Sequence, residues 1–306
     1  ALRRQLNLDL KLPARNIGSD PACLDANSGR IHGKGAAAIL ATRREWYQKY
    51  PALLSYDYLC TAALKGIDYL IYGRMLDAIQ VNPYELRYKD EVKFIESEET
   101  YFAAGRQAAC PRPWYWIPEV FCFENHQRLI EPPELRLQTW AALGHGCRGI
   151  RYYSHTEKSP LIGYSKSSPL LKEVIALNAD IKKTEKLLGA SIHLSDETVG
   201  DEKTGYRVYT LWAPDASSDH DLAVIVRNLD YTTDRKPNDL GLKPRCKVTS
   251  KKNLVVRVSK PSWLAIKEVV DGLNQQPVTY KQDGSTIELQ IGDLELGKII
   301  WIKNSN

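Results

Sequence analysis

The stretch Pro113 to His155 constrains the fold most. It reads PWYWIPEVFCFENHQRLIEPPELRLQTWAALGHGCRGIRYYSH, a strand, a loop, a helix and a second strand. Trp114 to Phe123 is aromatic and β-branched, as a buried strand requires. Pro132 and Pro133 open a helix at positions where a missing N–H costs nothing. Glu134 follows in the first turn, where the helix dipole favours a negative charge. Leu135, Gln138, Trp140, Ala141 and Leu143 continue the helix, and Gly144 and Gly146 end it. Cys147 to Tyr153 is a second short apolar strand. Strand, crossover helix and strand make a parallel βαβ unit. In such folds ligands sit at the carboxyl ends of the strands. Those ends carry Glu119, Glu124, His126, Tyr152, Tyr153 and His155, a polar and aromatic rim suited to a sugar.

The preceding chain repeats the alternation. Arg4 to Leu12 alternates as a strand, Gly33 to Tyr50 is a helix stopped by Pro51, and Ala52 to Cys60 is a strand. Arg74 to Tyr84 is another strand, with Asp77 as a hydrogen-bond acceptor at its start, and Ser97 to Gln107 is a helix. The Gly33-Lys34-Gly35 run lacks the spacer and the Lys-Ser/Thr ending of a phosphate loop. Ser168 to Leu188 is an amphipathic helix with Leu170, Val174, Leu177, Ile181 and Leu188 on one face. From Ala190 the pattern changes to short strands such as YRVYTLWA, LAVIVRNL, NLVVRVS, STIELQI and KIIWIK. Tight turns at Asp271-Gly272 and Asp283-Gly284 separate some of them, which predicts an antiparallel β-sandwich.

Two resemblances to known families follow from these residues. PPELRLQTWAALGHGCRGIRYYS resembles the helix and eighth strand of a glycoside hydrolase (β/α)8 barrel of the β-galactosidase and cellulase type. The Trp-rich run ending at Glu119 resembles that superfamily's seventh strand, which implies that Glu119 is the nucleophile. Ser19-Asp20-Pro21 resembles the "(D/N)EP" segment of the fourth strand and implies that Asp20 is the general acid, with a shorter side chain than usual. An Asp-Pro turn accounts for the same tripeptide without chemistry. Glu124 is the alternative acid. Asn82-Pro83-Tyr84 resembles the end of the sixth strand. Asn82, Tyr84, Trp114, Trp116, His126, Tyr153 and His155 are then the substrate-binding candidates. Phe123-Glu124-Asn125-His126 also resembles the "NHD" signature of the amylase superfamily, but Gln127 stands where that signature has Asp.

The expected fold class is therefore α/β plus all-β. Residues 1–190 form a barrel-like catalytic domain with the later strands only, and residues 191–306 form the sandwich. A full barrel takes eight strands and about 250 residues. A missing N-terminal segment, an oligomer that completes the barrel, or a reduced sheet would each account for the shortfall. The implied activity is glycoside hydrolysis by two carboxyl groups with retention. The alternative is a non-catalytic carbohydrate-binding or structural protein on a degenerate barrel.

Composition narrows the partners. Of 306 residues, 43% are hydrophobic and 26% charged, an ordinary globular balance. The net charge of +5 is too small to argue for nucleic acid. The Lys/Arg-rich DRKPNDLGLKPRCKVTSKK segment lacks stacking aromatics and reads as a solvated loop rather than a polyanion site. No apolar run approaches the roughly 20 residues of a membrane span. The six cysteines form no CxxC pair and no metal-type spacing with histidine, so no metal or organic cofactor is expected. The first residues lack the apolar core of a leader, as a mature extracytoplasmic or secreted protein also does.

Overall fold

The structure is a computed structural model, and it describes residues 15–16, 34–51, 55–60, 66–83, 94–123, 129–153, 155, 161–164, 169–214, 220–233 and 246–305. The chain divides into two compact units. The first comprises Ala1–Lys89, Glu96–Glu119 and Cys147–Tyr153; the second comprises Asp90–Ile95, Val120–Gly146 and Ser154–Asn306. The expected strand at Arg4–Leu12 lies outside the described residues.

The first unit is built on a parallel sheet. Strands β1 (Arg15–Asn16), β2 (Ser55–Cys60), β3 (Ala78–Asn82) and β4 (Trp114–Trp116) lie side by side in chain order. Cys147–Tyr153 runs parallel beside β4, through bridges Trp116↔Ile150 and Glu119↔Tyr153. Its backbone pairing includes Trp116 N to Gly149 O at 3.0 Å and Arg151 N to Trp116 O at 2.9 Å. Helices α1 (Lys34–Lys49), α2 (Gly66–Gly73) and α3 (Phe94–Ala109) alternate with the first strands. Strands that follow chain order without a reversal place right-handed crossovers on one face, as in a singly wound barrel.

The strand faces differ in chemistry because side chains alternate. Ile79, Val81, Trp114 and Trp116 are buried. Phe102 of α3 stands 5.8 Å from both tryptophan rings, and a Cβ on Gly105 of α3 would meet Val81 at 2.5 Å. Gly105 is therefore the residue that lets α3 approach the sheet. Gln80 and Tyr115, register partners, lie on the opposite face. At the amino end of β3, Asp77 accepts hydrogen bonds from Arg43 at 2.8 Å and from the Tyr47 hydroxyl at 2.7 Å. This is the strand-start acceptor that the sequence suggests.

The structure departs from the sequence expectations in several places. The run Trp114–Phe123 is not one strand. Pro118 has no N–H to give a ladder, and the chain forms β4 and then β5 (Phe121–Phe123), which pairs antiparallel with β6 (Leu161–Gly163). Helix α2, GIDYLIYG, was not anticipated, because a short apolar run carries no usable period.

The second unit holds α4 (Pro132–Gly144), α5 (Pro169–Lys183), α6 (Glu185–Leu188) and two antiparallel sheets. The expected helix Ser168–Leu188 is thus broken at Thr184, whose hydroxyl bonds the Ile181 carbonyl at 3.0 Å. One sheet has the order β13 (Ile266–Asp271), β16 (Gly297–Asn304), β9 (Asp221–Asn228), β8 (Tyr206–Ala213), β7 (Ile192–Val199). The other has the order β12 (Lys251–Ser259), β15 (Thr286–Leu294), β14 (Thr279–Asp283). A short ribbon, β10 (Tyr231–Thr232) with β11 (Lys247–Val248), completes it. The sandwich core comprises Val208, Leu222, Val224, Val226, Val256, Val258, Ile287, Leu289 and Ile300. On the other face of the larger sheet, Trp140, Leu143, Leu187 and Leu188 pack against Tyr209, Leu211, Ala223 and Ile225. Strand β9 is consequently buried along its whole length. Gly284, at φ +55°, turns the β14–β15 hairpin, as the Asp-Gly pair predicts. No described helix is long and apolar enough to cross a membrane.

Candidate active site

The carboxyl ends of the parallel strands converge on a small group of side chains. Asn82 ends β3, Trp116 ends β4, Glu119 follows β4, and Tyr153 ends the neighbouring parallel segment. Glu119 is buried at 3% exposure, whereas its backbone partner Tyr153 is 42% exposed. A shielded acidic residue is therefore backbone-paired with an exposed tyrosine. Pro118 carries the chain out of the ladder before Glu119, which places the acid just beyond the last regular pair.

The polar face behind these ends carries Gln80, Tyr115 and Arg151. Arg151 donates to Gln80 Oε1 at 3.3 Å. Burial pushes the Tyr115 hydroxyl up to about 12, helped by the nearby Cys147 and opposed by Arg148. Burial likewise raises the Cys147 thiol to about 12, against the lowering effect of backbone hydrogen bonds. At neutral pH both groups keep their protons, so Tyr115 is a donor and Cys147 is no nucleophile. Gly149 passes directly over Tyr115, where a Cβ would lie 2.4 Å from the ring.

Two buried polar atoms at the strand ends, Asn82 Oδ1 and Trp116 Nε1, have no hydrogen-bond partner among the described residues. Such atoms are uncommon in native interiors. Asn82 is 5% exposed, on the same side of β3 as Gln80. An amide acceptor there is suited to a hydroxyl group.

The expected site residues divide accordingly. Glu119 and Tyr153 pair through their backbones beyond β4, and Asn82 ends the adjacent strand β3. Trp114 and Trp116 have their rings in the core against Phe102, at 2% and 0% exposure. They support the sheet and offer no open ring face for stacking. His155 is exposed and meets the Tyr164 ring edge-on at 5.1 Å, within the second unit. Asp20, Glu124, Tyr84 and His126 lie outside the described residues. Sequence reading missed Gln80 and Tyr115. The signal was present, since period-two counting back from Asn82 reaches Gln80.

Helix α4 has a different task from the site. Glu134 is fully buried and accepts from the Glu131 N–H at 2.8 Å and from the Thr233 hydroxyl. Arg136 pairs with Glu173 at 2.6 Å and Asp180 at 2.9 Å on α5. These polar residues of the PPELR segment tie α4 into the second unit.

No protein-family model matches the chain, and no curated protein matches it. Among solved structures, it is similar to a GH29 α-L-fucosidase from Bacteroides thetaiotaomicron trapped as a covalent intermediate. The identity is 12% and the TM-score 0.43, over 95% of this chain and 67% of that one. It is also similar to the α-fucosidase of Thermotoga maritima, with 8% identity and a TM-score of 0.41, over 88% of this chain and 57% of that one. At these scores the likeness carries no argument of its own. The chain spans 57% to 67% of the length of these two fucosidases.

Proposed function

We propose that the chain is the later part of a glycosidase barrel joined to a β-sandwich, with Glu119 as its catalytic nucleophile. The observation that supports this reading is the placement of Glu119. It is a buried carboxylate at the carboxyl end of a parallel strand, paired through its backbone with the exposed Tyr153. Strand-end acids at this edge of a sequentially ordered parallel sheet are the usual location of catalysis. Residues 1–190 supply the catalytic layer and residues 191–306 the sandwich.

The reaction needs a second carboxyl group to protonate the leaving oxygen, and Asp20 or Glu124 takes that part. Asn82 Oδ1 accepts from a sugar hydroxyl, and Tyr153 offers its ring to a sugar face. Glu119 attacks the anomeric carbon, the glycosidic C–O bond breaks, and the acid gives its proton to the leaving oxygen. Water then attacks the glycosyl ester, returning the proton to the second carboxyl group and freeing Glu119. The substrate is an oligo- or polysaccharide. α-L-Fucosides are one class to try beside β-galactosides and β-glucosides.

Turnover of a panel of 4-nitrophenyl glycosides by the purified chain and by Glu119→Gln tests the reading. Release of nitrophenol that disappears in the variant, with an unchanged circular dichroism spectrum, is the expected result. Equal turnover in both proteins would remove Glu119 from the chemistry. Sugar binding without release by either protein would favour the non-catalytic reading, in which the barrel is degenerate.

A further inference from the structure

We propose that His145, His193 and Asp196 form a binding site for a divalent cation of the zinc class, at the junction of helix α4 with edge strand β7. The three residues offer two imidazole nitrogens and one carboxylate oxygen, all within 4.8 Å of one another. This is a donor set that zinc accepts. The centre of an equilateral triangle of that side is about 2.8 Å from each corner, so shifts of under about 1 Å reach the 2.0–2.2 Å of zinc–nitrogen and zinc–oxygen bonds.

The local structure builds the set. His145 is the residue that caps α4, and His193 and Asp196 lie on β7. Residues three apart on a regular strand point to opposite faces. A register shift between His193 and Ser195 interrupts β7 at this point and turns Asp196 onto the His193 side. His193 Nε2 and Asp196 Oδ1 then stand 3.1 Å apart. The His145 and His193 rings lie within 16° of parallel with centroids 5.5 Å apart, and Tyr209 packs edge-on against His145.

The hydrogen bonding around the set assigns the lone pairs. His193 Nδ1 lies 2.8 Å from the Gly144 carbonyl, to which it can only donate. In a neutral ring that bond makes Nε2 the lone-pair nitrogen, and it faces a carboxylate oxygen. A lone pair and a carboxylate oxygen at that distance call for a bridging proton or a metal cation. A backbone carbonyl holding the outer nitrogen of a ligating histidine is the usual outer shell of a metal site. Arg207 takes the other Asp196 oxygen at 2.5 Å, leaving Oδ1 for the ion. A proton on Nε2 also satisfies the His193–Asp196 pair. The metal engages all three residues. Bound there, it would pin the end of α4 to the edge of the sandwich sheet, a structural rather than a catalytic role.

The test uses the full chain after removal of metals with a chelator. Zn²⁺ is titrated by calorimetry, Co²⁺ by visible absorption, and thermal unfolding is followed with and without Zn²⁺. The expected result is one equivalent bound, a visible Co²⁺ band of tetrahedral intensity and a raised unfolding temperature. Asp196→Asn and His193→Gln should each weaken binding by at least about tenfold. His145→Gln should do the same, and both conservative His193 and Asp196 variants guard against a failure to fold. Absence of the Co²⁺ band and of any Zn²⁺-dependent shift overturns the proposal. Equal binding by the three variants also overturns it, since the ion then sits elsewhere. A metal-independent loss of stability on raising the pH through the imidazole range, abolished in His193→Gln, would assign the position to a proton instead.

Discussion

In the proposed function, the chemistry of this chain rests on Glu119. Its burial follows from its position one step beyond Pro118, against the end of the neighbouring parallel segment. Replacement by glutamine keeps the shape and removes the nucleophile. Turnover should fall by about a thousandfold or more, with the unfolding midpoint in urea essentially unmoved. Two other residues set an alkaline limit. The Cys147 thiol is raised from its ordinary 9.0 to about 12, and the Tyr115 hydroxyl from 10.0 to about 12, both mainly by burial. The unfolded chain releases these protons first, so it binds fewer protons than the folded chain above pH 9. Stability from this source is fully present below pH 9 and is lost as the pH rises toward 12. Denaturant titrations at pH 8 and pH 10.5 should show the decline, and it should shrink in Cys147→Ala. Alkylation with iodoacetamide at pH 8 should label the exposed Cys110 well before Cys147. The strand-end position of Glu119 was legible from the sequence, as was Asp77 at a strand start. The ring positions of Trp114 and Trp116 were not. A strand's period says that two residues share a face, but it does not say which face meets the helix layer.

Helix α4 is the element whose residues do the most structural work. Its sequence signals were strong, with Pro132 and Pro133 in the first turn and Gly144 at the end, and the helix has those bounds. The sequence could not reveal that Glu134 is buried among partners of the second unit. Glu134→Ala would leave the Glu131 N–H and the Thr233 hydroxyl without their acceptor. We expect a loss of about 2–4 kcal/mol in urea denaturation. The same helix needs glycine opposite it. A Cβ on Gly297 of β16 would fall 2.3 Å from Trp140 Cδ1 and 2.9 Å from the Val226 carbonyl oxygen. Gly297→Ala should therefore cost about 1–3 kcal/mol through overpacking, read as a lower melting temperature. Strand β7 escaped sequence reading for a related reason. Its bulge breaks the alternation, and Ile192 and Leu194 are both exposed.

The two units express two kinds of sequence pattern. The parallel sheet of the first unit shows itself through alternating apolar strands and helices, each with its own stop signals. The sandwich shows itself through short β-branched runs, and the five runs named from the sequence coincide with β8, β9, β12, β15 and β16. The break at Pro118 was hidden by the aromatic density around it. The metal-binding set was hidden because His145 and His193 are brought together only by the packing of α4 beside β7. The central claim, that Glu119 is the nucleophile of a retaining glycosidase, is tested most directly by covalent trapping. The purified chain is incubated with a 2-deoxy-2-fluoro glycoside of the sugar it turns over, and its peptides are mapped by mass spectrometry. The account predicts one added glycosyl group, carried by the peptide containing Glu119 and absent in Glu119→Gln. A label on Glu124 or Asp20, or turnover without any label, would contradict it.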